Sequence, residues 1–193
     1  MGGSNVYMKV DSFALLNEFN QIWMECWLEK GYGFEMSEIP ADRFLIIDAK
    51  DQKVGTIEFK QYSLDPANNI NSVFPFYELE KLKTLNLDHV IEIDKVAILK
   101  QHRGKNLERL LSLFVEYSES RQITHCVVLL ERLFYKALKN VYKIPLETVS
   151  EKIYYKGDYV IPSILYPQGI YENKDSFSWL IQTKDTIRNP ILN

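Results

Sequence analysis

The sequence predicts an α+β fold in three layers, with helices on both sides of a central sheet. The first reason is that segments with the apolar spacing of helices alternate with short apolar runs typical of strands. The second is composition, because 193 residues with 46% hydrophobic and 25% charged content can bury a sizeable core. We expect one domain over residues 1–193, with a core at about 12–165 and a peripheral tail at about 169–193.

The first half of the chain carries the signals of a long helix followed by a hairpin. Apolar residues recur at helical spacing after the cap candidates Asp11 and Ser12, and Gly31 supplies a stop. A polar turn at 50–52 joins two apolar runs, which predicts two antiparallel strands. Pro75 favours the start of a second, shorter helix. The predicted elements, in order, are a helix at 12–30, strands at 43–48 and 53–62, a loop at 64–72 and a helix at 74–85.

The second half alternates between strands and helices. Residues 90–99 form an apolar run that carries charges and is too short for an isolated helix, which predicts a central strand. Pro145 ends the helix before it, and Lys156-Gly157-Asp158 has the chemistry of a hairpin turn. The predicted elements are a strand at 90–99, a helix at 107–121, a strand at 125–130, a helix at 131–142, strands at 148–155 and 159–165, and a helix near 176–183.

Composition and charge exclude several classes of function. The net charge of -3 and the pI near 5.7 give no general attraction to nucleic acid, so we expect no nucleic-acid partner. Cys26 and Cys126 are far apart and flanked by apolar residues, which predicts free thiols in a reducing, cytoplasmic compartment. The cysteines and histidines lack metal-ligand spacing, so we predict no metal. No segment approaches the roughly 20 apolar residues that span a bilayer.

A polar turn between the predicted central strand and the next helix is a candidate anion site. It reads Gln101-His102-Arg103-Gly104-Lys105-Asn106. A helix that opens on such a turn points its first amide N–H groups outward, and these favour phosphate. Gly104 allows close backbone approach, while Arg103 and Lys105 add positive charge. An ordinary turn with solvated basic residues explains the same pattern, so the spacing alone leaves both interpretations open.

Taken with the strand before it, this turn resembles the pyrophosphate loop of the GNAT superfamily of acyltransferases, Gln/Arg-x-x-Gly-x-Gly/Ala. Gln101 and Gly104 fit that pattern, and the order of elements from Ser12 to about Leu165 is also similar. The resemblance implies a mixed, mostly antiparallel sheet flanked by helices, and an enzyme that transfers an acyl group from acetyl-CoA or acyl-CoA to a small-molecule or peptide amine. The donor-binding residues that it implies are Val96, Ala97, Ile98, Gln101, His102, Arg103, Gly104, Lys105, Asn106 and Leu107.

A narrower resemblance lies in the predicted central strand. Residues 90–98 are similar to the Glu-x-x-Arg-x-x-Val strand of acyl-homoserine-lactone synthases and N-acyl amino acid synthases. It implies an alternative function, long-chain N-acyl transfer fed by an acyl carrier protein. A third alternative is a noncatalytic module that keeps the fold for binding, since Asn106 stands where the family usually has Gly or Ala.

Two carboxylates on the central strand are candidate catalytic groups. An ammonium must lose a proton before it attacks a thioester, so a carboxylate near the acceptor is expected. Glu92 and Asp94 are two residues apart, hence on one face of the strand, and Glu92 is the preferred base. Structural pairing with Lys95, with Arg103 or with a neighbouring strand is the alternative.

The resemblance implies two further features of the site. Superfamily members often place in the helix after the next strand a tyrosine that protonates the leaving thiolate. Phe134-Tyr135-Lys136 resembles that segment, so Tyr135 is the candidate, and a packing role is the alternative. The backbone N–H of Val96 is the expected donor to the tetrahedral oxyanion. The family also implies an acceptor pocket that is partly aromatic, for which the candidates are Trp23, Trp27, Tyr32, Phe34, Phe74, Phe76 and Tyr77.

Overall fold

The computed structural model describes residues 6–33 and 40–181, and over these residues the chain builds an eight-stranded sheet. The strands are β1 (Tyr7–Lys9), β2 (Asp42–Ile47), β3 (Lys53–Gln61), β4 (Val90–Ile98), β5 (His125–Glu131), β6 (Leu146–Thr148), β7 (Ile153–Tyr155) and β8 (Asp158–Leu165). Their order is β1-β2-β3-β4-β5-β8-β6, and β7 also pairs with β8. The pair β4–β5 is parallel and the other pairs are antiparallel. The predicted mixed, mostly antiparallel sheet is confirmed.

Helices cover both faces of this sheet. They are α1 (Phe13–Glu29), α2 (Asn69–Val73), α3 (Glu80–Lys83), α4 (Lys105–Ser120), α5 (Arg132–Lys136) and α6 (Gln168–Tyr171). A π-helical turn at Ala137–Val141 continues α5. In the described ranges no helix is both long enough and apolar enough to cross a membrane.

Strand alternation divides the core between the two faces. Successive side chains of a strand point to opposite faces. In β2, Phe44 and Ile46 therefore join the cluster that contains α4, while Leu45 and Ile47 join the cluster that contains α1. A third cluster packs α2 and α3 against β4, β5 and β8, on the α1 side of the sheet. The result is three layers, with α1, α2 and α3 on one face and α4, α5 and α6 on the other.

Local sequence signals account for the first helix and the hairpin, and both predictions are confirmed. Ser12 caps α1, and its side-chain oxygen accepts a hydrogen bond from the backbone N–H of Leu15. Gly31 takes a positive φ of 75° directly after the helix, a conformation that favours glycine. The hairpin pairs β2 with β3 as expected.

Three other predictions of secondary structure are wrong in detail. The single helix expected at 74–85 is a 3₁₀ turn at Phe76–Glu78 followed by α3, because Leu79 between them takes an extended conformation. The strand expected at 148–155 is divided into β6 and β7. Pro162 of β8 lies opposite the residues between β6 and β7, because its carbonyl accepts a hydrogen bond from the backbone N–H of Val149. Proline has no N–H, so it cannot donate the second hydrogen bond that would continue the pairing there. The loop expected at 64–72 contains α2.

The chain after β8 packs back onto α4. Ile170 of α6 is fully buried, and the indole N–H of Trp179 donates to the carbonyl of Tyr142 at 2.9 Å. The backbone N–H of Ile181 donates to Ser112 Oγ at 2.9 Å. The helix expected near 176–183 is absent from the described residues, which carry only a 3₁₀ turn at Lys174–Ser176 there.

A β-bulge interrupts the pairing of β3 with β4. The register shifts between Thr56 and Glu58, and Lys95 on the opposite strand takes a positive φ of 47°. The Thr56 hydroxyl donates to the carbonyl of Lys95 at 2.8 Å, which holds the bulge in place. Gly55 makes the close approach possible, because a Cβ there would lie 2.6 Å from the carbonyl oxygen of Ala97.

We predict that Gly55→Val lowers the free energy of unfolding by about 1–3 kcal/mol, the usual cost of overpacking a close contact. Urea denaturation of the purified variants measures it. Gly33→Val is the matched control, because a Cβ at Gly33 meets nothing within 4 Å. Equal stability of the two variants would contradict the role assigned to Gly55.

Candidate active site

The central feature of the site is a gap between the two parallel strands. Pairing of β4 with β5 ends at Glu92 and Val127, although the strands continue to Ile98 and Glu131. A cavity of about 450 Å³ occupies the space between the parted strands, and residues of both strands line it. The cavity therefore has a closed end where the pairing stops and an open end where the strands finish.

The two faces of the sheet give this cavity different walls. On the side of α1, the wall is aromatic and includes Trp23, Trp27, Tyr32 and Tyr155. On the side of α4 and α5, the wall is apolar and includes Leu107, Leu110, Phe134 and Ala137. Because the strands are parted, one cavity is accessible to side chains from both layers of helices.

The aromatic wall is a stack of rings with cations against it. Trp23 and Trp27 are one helical turn apart on α1, and their ring centroids are 4.5 Å apart. Tyr32 packs edge-on to Trp27 at 4.4 Å. The ammonium of Lys95 lies 5.5 Å from the ring centroid of Trp23, and that of Lys156 lies 5.8 Å from the centroid of Trp27. Both distances fall in the range of cation–π contacts.

A buried ion cluster forms the closed end of the cavity. Lys60 Nζ lies 2.6 Å from Asp94 Oδ2, 3.3 Å from Glu92 Oε1 and 3.3 Å from Glu58 Oε1. Lys95 Nζ lies 3.4 Å from Asp94 Oδ2 and 3.8 Å from Glu58 Oε1. The register pairs Lys60 with Glu92 and Glu58 with Asp94, so strand alternation brings all four to the same face.

Burial and charge act differently on the two carboxylates of β4. Glu92 is only 3% exposed, and burial raises its pKa above the ordinary value although Lys60 opposes that shift. Asp94 has 37% of its side chain exposed. Burial also acts to raise the pKa of Asp94, but Lys60 and Lys95 outweigh it and hold the pKa below the ordinary value. Asp94 is therefore the stronger acid of the two, and Glu92 is the stronger base.

One oxygen of Glu92 remains available for a further interaction. Lys60 contacts Oε1, while Oε2 is buried and has no hydrogen-bond partner in the described part of the chain. A buried carboxylate oxygen without a donor is costly and uncommon. Among residues 6–33 and 40–181 no three His, Cys, Asp or Glu side chains are grouped to hold a metal ion.

The turn after β4 lies at the open end of the cavity. Gly104 has a positive φ of 95° and directly precedes α4, and a Cβ there would meet nothing within 4 Å. Gly104 and Arg103 both line the cavity. The Arg103 guanidinium lies 3.1 Å from Glu29 Oε2 of α1, and its Nε donates to the carbonyl of Ile98 at 3.3 Å. Open space, the amino-terminal end of α4 and a guanidinium suit an anion.

Most of the residues singled out by the sequence come together in this cavity. Those that line it are Glu92, Asp94, Val96, Ala97, Ile98, Arg103, Gly104 and Leu107. Gln101 is exposed outside it, and His102 Nδ1 lies 3.5 Å from Asp48 Oδ2. The amide of Asn106 donates to the carbonyl of His102 at 2.7 Å. The side chain of Lys105 is outside the described part of the structure.

Tyr135 lies on α5 but is not among the described residues that line the cavity. Its hydroxyl accepts hydrogen bonds from Lys139 at 2.9 Å and Thr148 at 3.0 Å, and these donors lower its pKa. A catalytic role for Tyr135 stays a prediction. The tyrosines that do line the cavity are Tyr32 and Tyr155. Burial, with Glu131 and Asp158 nearby, raises the pKa of Tyr32 to about 12.

The aromatic residues expected around the acceptor divide into two groups. Trp23, Trp27 and Tyr32 line the cavity, whereas Phe76 is fully buried in the cluster beneath α3. Phe74 packs against that same cluster, Tyr77 is not among the described lining residues, and Phe34 lies outside the described residues.

Sequence reasoning missed the two partners that β3 contributes. Glu58 and Lys60 are charged residues two apart in an apolar strand, the same pattern that drew attention to Glu92 and Asp94. The signal was present in β3, but one strand pattern does not reveal which other strand it will face.

Comparison with solved structures identifies the fold. The fold is that of the GNAT-like acyltransferases, with a mixed sheet between two layers of helices. No protein-family model and no curated protein sequence matches the chain.

Several of the similar structures are acyl-transferring synthases. BjaI, a CoA-dependent acyl-homoserine lactone synthase, has a TM-score of 0.68 at 10% identity, covering 95% of this chain and 95% of its own. The structure of the same enzyme with SAM and isopentyl-CoA has a TM-score of 0.65. FeeM, an N-acyl amino acid synthase from uncultured soil microbes, gives 0.63 at 13% identity, covering 84% of this chain and 91% of its own. The acyl-homoserine lactone synthase LasI has a TM-score of 0.64 at 12% identity, covering 93% of this chain and 96% of its own. At such identities the likeness establishes the fold.

We predict that Lys60→Met lowers the free energy of unfolding at pH 7 by about 3–5 kcal/mol, because it removes the cation that contacts the buried Glu92. In the variant, the folded-state pKa of Glu92 should lie further above that of the unfolded chain than it does in wild type. Stability then falls as pH rises through that range, so the deficit relative to wild type should shrink as pH is lowered from 7 towards 4.

Urea denaturation at several pH values measures this deficit. Lys53→Met is the matched control on the same strand, because Lys53 pairs with Glu18 at the surface and exposed pairs contribute about 1 kcal/mol or less. A deficit that is small at pH 7, or that does not change with pH, would contradict the assigned cluster.

Proposed function

We propose that the protein is an N-acyltransferase, which transfers an acyl group from a pantetheine thioester to an amine. The observation that carries this proposal is the parting of β4 from β5, which opens a cavity with carboxylates at its closed end and a guanidinium at its open end. A coenzyme A thioester has a matching polarity, since its phosphates lie at one end and its reactive carbonyl at the other. FeeM, BjaI and LasI, which share this fold, are acyl-transferring synthases, in agreement with this reaction.

In this proposal the donor lies between the parted strands. Beyond Glu92, the backbone groups of β4 and β5 that face each other are no longer paired by hydrogen bonds. Backbone groups that have lost a strand partner need another, and the amides of a pantetheine arm can supply it. The backbone N–H of Val96, at the bulge, would donate to the oxyanion that forms when the amine attacks.

The proposed base is Glu92. An ammonium acceptor must lose a proton before it attacks the thioester carbon, and a carboxylate whose pKa is raised by burial takes that proton more readily. Asp94, held ionised by Lys60 and Lys95, would orient the ammonium without accepting its proton. The aromatic wall of Trp23 and Trp27 would flank the acceptor.

A second candidate function concerns the length of the acyl group. The wall formed by Leu107, Leu110, Phe134 and Ala137 is apolar and offers room for a chain longer than acetyl. This wall favours a long-chain N-acyl transfer reaction, with the donor on coenzyme A or on an acyl carrier protein. Turnover of a series of thioesters of increasing chain length, presented on each carrier, separates these donors.

We predict that wild-type protein releases thiol from such thioesters over a panel of amines, and that Glu92→Gln lowers the turnover rate by about 10²–10⁴. Affinity for the donor should be nearly unchanged, because the amide keeps the shape of the side chain. The wild-type rate should rise with pH through the raised pKa of Glu92, and this limb should disappear in the variant.

Asp94→Asn separates the two carboxylates in the same assay. If Glu92 is the base, the turnover rate of Asp94→Asn still rises with pH as in wild type, although the rate itself is lower. A stable Glu92→Gln protein with wild-type turnover and an unaltered pH profile would rule out the assigned base. Absence of thiol release from every thioester and amine would instead count against the reaction itself.

We predict that Gly104→Val lowers the affinity for coenzyme A about tenfold or more, since losing one hydrogen bond to a charged group costs about 1.5–3 kcal/mol. The β-branched side chain would fill the space at the start of α4 that the phosphates need. Calorimetric titration measures the affinity. Gly31→Val is the matched control, with a positive φ of 75° and nothing within 4 Å of a Cβ, but outside the described cavity lining. Equal affinity in the two variants would remove the phosphate site from this turn.

A further inference from the structure

The carboxyl end of α1 is fastened to both strands at the open end of the cavity. Glu29, the last residue of α1, lies 3.1 Å from Arg103 and 3.7 Å from Lys100, both just after β4. The next residue, Lys30, forms an ion pair with Glu131, the last residue of β5. The end of α1 therefore bridges the two strand ends between which a donor would enter.

The position of Glu29 is unfavourable for a carboxylate unless a cation is nearby. The carboxyl end of a helix carries a partial negative charge, which repels an acidic side chain in the last turn. Arg103 and Lys100 supply the compensating positive charge. The carboxylate thus depends on the same guanidinium that lines the open end of the cavity.

A carboxylate and a phosphate compete for a guanidinium because both accept hydrogen bonds from its planar set of donors. Arg103 and Glu29 keep 47% and 32% of their side-chain surface exposed. Such an exposed pair is weak and exchanges readily with other anions. An incoming phosphate can therefore take the place of Glu29 without disrupting the core.

We propose that Glu29 is an internal competitor of the donor phosphates at Arg103 and thereby sets the affinity of the protein for coenzyme A. This inference rests on the proposed donor site. In the free protein Glu29 neutralises Arg103, and donor binding requires its displacement. The affinity observed for a phosphate-bearing donor is then lower than the site would otherwise give.

The test is calorimetric titration of coenzyme A into Glu29→Gln at low ionic strength. We expect binding about three- to fivefold tighter than in wild type, the range set by loss of an exposed ion pair. The gain should fall as salt is raised, because salt screens exposed charges. Glu25→Gln is the matched control, since it removes the same charge from an exposed position one turn earlier on α1 and should bind as wild type does.

Two further titrations establish the mechanism of any gain. If Glu29 acts through Arg103, adding Glu29→Gln to an Arg103→Gln background should not tighten binding further, as in a double-mutant cycle. Pantetheine, which has no phosphate, should bind the wild type and Glu29→Gln equally. A gain with pantetheine would mean that the variant merely widens the entrance, and it would overturn the proposal.

The outcomes separate this inference from the function on which it rests. If wild type and Glu29→Gln bind coenzyme A with equal affinity, Glu29 is not a competitor, but the donor site stands. An equal gain in Glu25→Gln would also overturn the proposal, because a general change of charge would explain it. If no variant binds coenzyme A, the proposed donor site fails together with the competitor.

Discussion

One buried ammonium organises the closed end of the cavity. Lys60 is 3% exposed, and it contacts carboxylates from its own strand and from β4. Although burial lowers the pKa of Lys60, Asp94, Glu92 and Glu58 raise it above its ordinary value, so the side chain stays charged. Without that charge, several carboxylates would lie in one small volume with too few cations, and the parted strands could not hold acidic groups there.

The same cluster explains why the two carboxylates of β4 differ. Arg43 contributes a further cation, with its Nε 2.5 Å from Glu58 Oε2. Arg43, Lys60 and Lys95 thus match the charges of Glu58, Glu92 and Asp94. Because two of these cations lie against Asp94 and one lies against Glu92, the shared charge is distributed unevenly. Two carboxylates with different pKa values, Glu92 and Asp94, can therefore lie two residues apart on one strand.

Periodicity along the chain could predict much of this fold, and tertiary pairing explains where it failed. The apolar spacing of α1 and the runs of β4 and β5 are local signals, so those elements were predicted correctly. The three-residue strand β1 is too short for a period to show. The division into β6 and β7 depends on which side of β8 Pro162 faces, and that side is defined only once β5 and β6 are paired with it.

In the site, too, local sequence signals could be predicted and tertiary pairing could not. Glu92, Asp94, Arg103 and Gly104 stand out in the sequence because each breaks a local pattern, and they line one cavity. Lys60 could not be assigned to them in advance, because the pairing of β3 with β4 includes a bulge whose position no strand pattern specifies. The ring of Tyr155 reaches the cavity through the hairpin of β7 and β8, a long-range contact of the same kind.

The brevity of the β4–β5 pairing has a mechanical consequence. Only three residue pairs join β1–β4 to β5–β8 in the described sheet, and these pairs begin at Val90 and end at Glu92. The sheet therefore consists of two antiparallel halves that are joined by that short seam and by side-chain packing against α4. A ligand that hydrogen-bonds to both halves would serve as a ninth strand of the sheet, and the rigidity of the two halves would then rise and fall with its occupancy.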